Sequence, residues 1–132
     1  MSNGTASLSG SFRYIPPGGG QASEQVGYSA PYNDSAVGIL DVADTTPAAT
    51  LFPIPVGGIT KIKSFYIDNQ SGQDLGVRFN AAGADEFQIP SGSAMTLVCP
   101  ADPAANPLTE ITLTTTATQV GDGKINYRVF GD

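Results

Sequence analysis

Between residues 37 and 130 the apolar residues fall into eight short runs, each closed by a turn signal, and this cadence narrows the possible folds sharply. The runs are VGIL (37–40), TLFPIP (50–55), ITKIKSFYI (59–67), LGVRF (75–79), EFQI (86–89), AMTLVC (94–99), TEITLTTT (109–116) and KINYRVF (124–130). Between them lie Asn69-Gln70-Ser71-Gly72, Pro90-Ser91-Gly92 and Gly121-Asp122-Gly123, residue types that favour turns. Within the runs apolar and polar positions alternate. Leu75, Val77 and Phe79 oppose Gly76, Arg78 and Asn80; Phe87 and Ile89 flank Gln88; Met95, Leu97 and Cys99 oppose Thr96. Ile111 and Leu113 oppose Thr112 and Thr114, while Ile125, Tyr127 and Val129 oppose Lys124, Asn126 and Arg128. A period of two buries one face and wets the other, as in antiparallel sheets. No stretch of standard length carries a helical period. The expected fold class is all-β: a single antiparallel β-sandwich over residues 37–132, preceded by an extended N-terminal arm over residues 1–36.

Two runs need separate treatment. Pro53 and Pro55 remove alternate amide donors, which confines residues 51–55 to a sheet edge or a connector. Ile62 lies on the opposite parity from Phe65 and Ile67, which calls for a bulge or for cover on both faces; cover by another segment or chain is expected. Phe65, Phe79, Phe87 and Tyr127 are assigned to the core.

The arm has a different texture. Residues 11–33 set Phe12, Tyr14, Tyr28 and Tyr32 among Gly, Pro, Ser, Ala and Gln, with no helix or strand period. The PPGGG at 16–20 excludes regular structure through its middle. Such a segment builds no core of its own, so its rings need a home on the sandwich or on another subunit. Phe12, Tyr14, Ile15, Tyr28 and Tyr32 are the candidate partner-binding anchors.

Chemistry is constrained by what the chain lacks. It contains no histidine, so Ser-His-Asp and Cys-His arrangements cannot be assembled. GYSAP at 27–31 approaches a nucleophile elbow, but Pro31 replaces the second glycine, and an irregular loop is expected. Asp85 and Glu86 are strand neighbours that point to opposite faces and cannot share a substrate. DNQSGQD at 68–74 is rich in oxygen ligands yet lacks the spacing and final glutamate of a calcium loop; a hairpin turn is expected there. Asn3, Asn33 and Asn69 open glycosylation-type triplets that arise by chance in a Ser/Thr-rich chain. Cys99, the only cysteine, reads as a small buried hydrophobe and allows no internal disulfide. The net charge of −6 and the scatter of six Lys and Arg residues provide no basic stripe for nucleic acid. No run approaches the length of a membrane span, and residues 1–10 lack the pattern of a secretory signal. No enzyme activity, cofactor, metal, membrane or small-molecule substrate is expected. A carbohydrate-binding sandwich is a weaker alternative, since tryptophan is absent and the unplaced rings lie in the arm.

The run FYIDNQSGQDLGVRFNAAGADEFQIPSGSAMTLVCP, a strand, a polar hairpin, a strand ending in Phe-Asn and then F-x-I-P-S-G-S, resembles small virion proteins of tailed bacteriophages, in particular capsid decoration (cement) proteins. The resemblance covers about residues 59–130. It implies a jelly-roll or related sandwich that forms dimers or trimers, bridges neighbouring major capsid subunits through N-terminal arms and reinforces the outside of the head. It also implies synthesis in the host cytoplasm and a place on the virion surface. A tail, baseplate or head-fibre protein of a phage is the alternative within the same group.

Overall fold

The computed structural model describes residues 4–80, 82–98 and 107–132. Cys99 lies outside the described residues. Ten strands are described: β1 (Gly4–Tyr14), β2 (Ala22–Tyr32), β3 (Asp34–Val42), β4 (Leu51–Pro53), β5 (Ile62–Gln70), β6 (Leu75–Phe79), β7 (Phe87–Ile89), β8 (Ala94–Val98), β9 (Ile111–Thr115) and β10 (Gly123–Gly131). The last eight form two antiparallel sheets, ordered β3-β10-β5-β8 and β4-β9-β6-β7, packed as a sandwich. Their pairings are nested, β3 with β10, β4 with β9, β5 with β8 and β6 with β7, so the chain is rolled up like a folded ribbon.

The inward faces follow the alternation. Val42, Phe65, Ile67, Ile125, Tyr127 and Val129 from one sheet meet Leu75, Val77, Ile89, Ile111 and Leu113 from the other in one buried cluster. At about 1.5–3 kcal/mol for each large apolar side chain removed from water, this cluster is the main favourable term in folding. Phe79 is only partly buried, and Phe87, although on the inward parity, is 54% exposed. Phe87 therefore departs from its expected core role: β7 is an edge strand three residues long, and its ring stands at the open side of the sandwich with Leu97. There the sheets part over an apolar groove of about 410 Å³ lined by Phe79, Phe87, Met95 and Leu97.

The phase change at Ile62 has its cause in a bulge. Phe130 pairs with Ser64 but Gly131 pairs with Ile62, so Lys63 is the extra residue and Ile62 turns inward. The Lys63 Nζ lies 2.9 Å from Asp132 Oδ2. The bulge thus sets the phase of Ile62, while the expected cover by another segment is also present, since β2 meets β5 and both Ile62 and Ser64 are buried. Pro53 ends β4 at the edge of its sheet, as the missing amide donors require.

The largest departure concerns the arm. Residues 4–32 are two strands of eleven residues each, paired antiparallel without a break from Gly4↔Tyr32 to Tyr14↔Ala22. GYSAP at 27–31 is part of β2 rather than a loop. PPGGG is the turn: Gly19 N donates to Pro16 O at 3.1 Å and Gly18 has φ 100°. That is a type II turn, with proline supplying the fixed φ and glycine the positive one. The sandwich itself begins at Asp34, so β3 takes in residues 34–36, read above as the end of the arm.

Candidate interaction surface

In the hairpin, even-numbered residues share one face: Ala6, Leu8, Gly10, Phe12 and Tyr14 on β1, and Ala22, Glu24, Val26, Tyr28, Ala30 and Tyr32 on β2. The other face is Thr5, Ser7, Ser9, Ser11 and Arg13 beside Ser23, Gln25, Gly27, Ser29 and Pro31. The hairpin is thus an amphipathic ribbon, about 35 Å long at the usual rise per residue.

Its base lies on the outer face of the β3-β10-β5-β8 sheet, where β2 meets β10, β5 and β8 in turn and β1 meets β8. Ala30 is fully buried, and the Tyr32 ring packs against Phe130 with centroids 4.7 Å apart and planes tilted by 44°. At the joint, Asn33 N donates to Gly131 O (3.0 Å) and Asn33 Nδ2 to Asp132 Oδ1 (2.9 Å). The fit along the seam is incomplete, leaving a gap of about 290 Å³ beside Leu8, Ser64, Tyr66, Arg128 and Phe130. Among the described residues Ser64 Oγ is buried there with no hydrogen-bond partner. Replacing Ser64 with Ala removes that unsatisfied hydroxyl and is expected to raise stability by about 1 kcal/mol. Equilibrium urea unfolding checks this; a loss of stability would mean the hydroxyl is satisfied.

Past β8 the hairpin leaves the sandwich and its apolar face is uncovered. Phe12 is 63% exposed, Tyr14 46%, Ile15 75% and Tyr28 56%. The Phe12 and Tyr14 rings lie 6.1 Å apart, and between Leu8 and Phe12 the missing side chain of Gly10 leaves a notch of about 220 Å³ beside Val26. Four of the five expected anchors are therefore exposed, but spread along the hairpin: Phe12 and Tyr14 lie toward its tip, Ile15 follows β1 into the turn, and Tyr28 pairs with Leu8 near the edge of the sandwich. Tyr32 is not: it is used internally, against Phe130. Sequence reasoning passed over Leu8, Val26 and the Gly10 notch. The signal was the even-position spacing of Ala6, Leu8, Phe12 and Tyr14.

The other sequence candidates are occupied within the fold. Asp85 Oδ1 pairs with Arg78 Nε at 2.9 Å and Glu86 Oε1 accepts from Phe79 N at 3.1 Å, so both carboxylates brace β6. In the 68–74 loop, Asn69 Oδ1 accepts from Ser71, Gln73 Oε1 accepts from the amides of Thr116 and Ala117, and Asp74 Oδ1 accepts from Ser91 N. Asn69, which opens a glycosylation-type triplet, is fully buried. Among the described residues no group of three or more His, Cys, Asp or Glu is placed to hold a metal ion. No protein-family model matches the chain, and neither the curated proteins nor the solved structures contain a match to it.

Proposed function

We propose that this chain is a non-enzymatic structural protein of a virion, which sits on the outer surface of a tailed-phage capsid and stabilises it by docking its hairpin across neighbouring major capsid subunits. The observation that carries this reading is the aromatic face of Phe12, Tyr14 and Tyr28, held on a two-stranded ribbon and left exposed by the described residues. Exposed aromatic anchors beside a small notch are the features that dominate binding energy at protein interfaces. A preformed ribbon also avoids much of the ordering cost that a flexible arm would meet on binding. The nested strand order supports a jelly-roll assignment, in keeping with the resemblance over residues 59–130. A ligand specific for the assembled shell stabilises that shell by mass action, and repetition over the lattice multiplies weak contacts.

The test is co-sedimentation with purified capsids. Phe12→Ser combined with Tyr28→Ser is expected to weaken binding about 100-fold, or about 2.7 kcal/mol, with an unchanged circular dichroism spectrum. Wild-type affinity in that variant would overturn the assignment of the hairpin. Density at a tail or baseplate in a map of the intact particle would replace the head location.

A further inference from the structure

Among the described residues β3 pairs with β10 alone, so alternate N–H and C=O groups along its other edge point out of the sheet. The remaining sandwich edges are blunted. β4 and β7 are three residues long, β4 carries Pro53, and β8 has five residues with the hairpin beside it. β3, by contrast, runs for nine residues, DSAVGILDV, with no proline, lysine or arginine. Its outward Val37 and Ile39 are 60% and 56% exposed, and its inward Ala36, Gly38 and Leu40 are only partly covered. A long edge whose central residues Ala36–Leu40 are apolar and uncharged, with charge confined to Asp34 and Asp41 near its ends, is a template for another strand.

We infer that β3 is the contact surface for a second copy of this chain, the two β3 strands pairing antiparallel about Gly38 to continue the sheet across a twofold axis. The strand is self-complementary about that residue. Pairing there sets Val37 against Ile39 of the partner subunit on the outer face and Ala36 against the partner's Leu40 on the inner face. Ser35 meets the partner's Asp41, and Asp34 meets the partner's Val42, so no like charges oppose each other. Other registers are worse. A one-residue slip one way sets Asp34 against the partner's Asp41, and a one-residue slip the other way sets Val37 against the partner's Leu40, putting an outward position opposite an inward one. A two-residue slip sets Val37 against the partner's Asp41 or Ile39 against the partner's Ser35. Like charges placed directly opposite are destabilising, and apolar cross-strand pairs are stabilising. An isologous contact of this kind closes on itself and makes a dimer rather than a filament. It lies on a different element from the hairpin and holds whether or not the hairpin docks on a capsid.

Light scattering on the size-exclusion peak tests it. The full chain is expected at twice its own mass. Val37→Lys with Ile39→Lys should weaken self-association at least 100-fold and give the single-chain mass, while Phe12→Ser with Tyr28→Ser should remain dimeric. A monomeric wild type, or a dimer that survives the two lysines, overturns the proposal. The register has its own readout that needs no inserted charge. In a Cys99→Ser background, chains bearing Val37→Cys mixed with chains bearing Ile39→Cys should form a disulfide-linked pair on mild oxidation. Absence of that link in the dimer would overturn the pairing about Gly38.

Discussion

Replacing Asn69 with leucine is expected to cost about 3–4 kcal/mol of folding free energy, a large share of the roughly 5–15 kcal/mol typical of a single domain. Asn69 stands fully buried at the end of β5, and every polar atom of its side chain is engaged. Nδ2 donates to Gln73 O and to Ile89 O, each at 2.8 Å, while Oδ1 accepts from Ser71 N (3.1 Å) and Ser71 Oγ (2.6 Å). The contact with Ile89 joins the two sheets, because β5 and β7 belong to different layers. Leucine would fit in volume but would take the inter-sheet bond away from Ile89 O and leave Ser71 N without its partner, each at about 1–3 kcal/mol. Gln73 O and Ser71 Oγ keep each other, 3.1 Å apart, which bounds the loss. Asn69→Asp is expected to be worse still, since a charged oxygen would replace the donor that faces two carbonyls. Urea unfolding with an unchanged m-value measures the difference, and a loss below about 1 kcal/mol would show that the clamp is dispensable.

Gly131→Ala is expected to lower the melting temperature by about 10 °C, equivalent to about 3 kcal/mol. A Cβ at this position would fall on the carbonyl oxygen of Lys61, so backbone rather than a pliable side chain must give way. The displaced strand end carries several bonds at once. Asp132 N donates to Lys61 O and Lys61 N to Asp132 O, each at 3.0 Å, and Gly131 O accepts from Asn33 N at the root of the hairpin. The change should therefore loosen the joint together with the sandwich. Circular dichroism melting gives the first effect and faster amide exchange at Asn33 the second. An alanine variant that melts with the wild type would contradict the close approach.

The sandwich could be read from the sequence because its strands obey a simple physical rule. Ile111, Leu113 and Ile125 are large and apolar, their neighbours are polar, and a period of two then decides which side is buried. The hairpin obeys the same rule in a fainter form. Gly10, Ala22 and Ala30 contribute little hydrophobic contrast, Glu24 interrupts the apolar face, and the odd positions are mostly Ser or Gly, so the alternation is nearly silent. PPGGG was legible as a break but also marked the turn that makes the two strands neighbours. Asn69 was hidden for another reason. An asparagine in a Ser/Gly-rich turn is typical of solvent-facing loops, and only long-range pairing of β5 with β8 and of β6 with β7 brings Ile89 O over it. The exposure of Phe87 and Leu97 is equally a matter of sheet order, since parity names a face and not the distance from an edge.

The direction in which the hairpin crosses its sheet has a consequence for reach. It starts at the β10 side, passes β5 and β8, and ends beyond them, whereas β3 borders the opposite margin of the same sheet. In a molecule doubled through β3, the two aromatic ribbons would emerge at far ends and point away from each other. Such a two-headed particle would grip separated sites at once, with a span set by the width of eight strands, about 4.8 Å each, and the overhang of each ribbon.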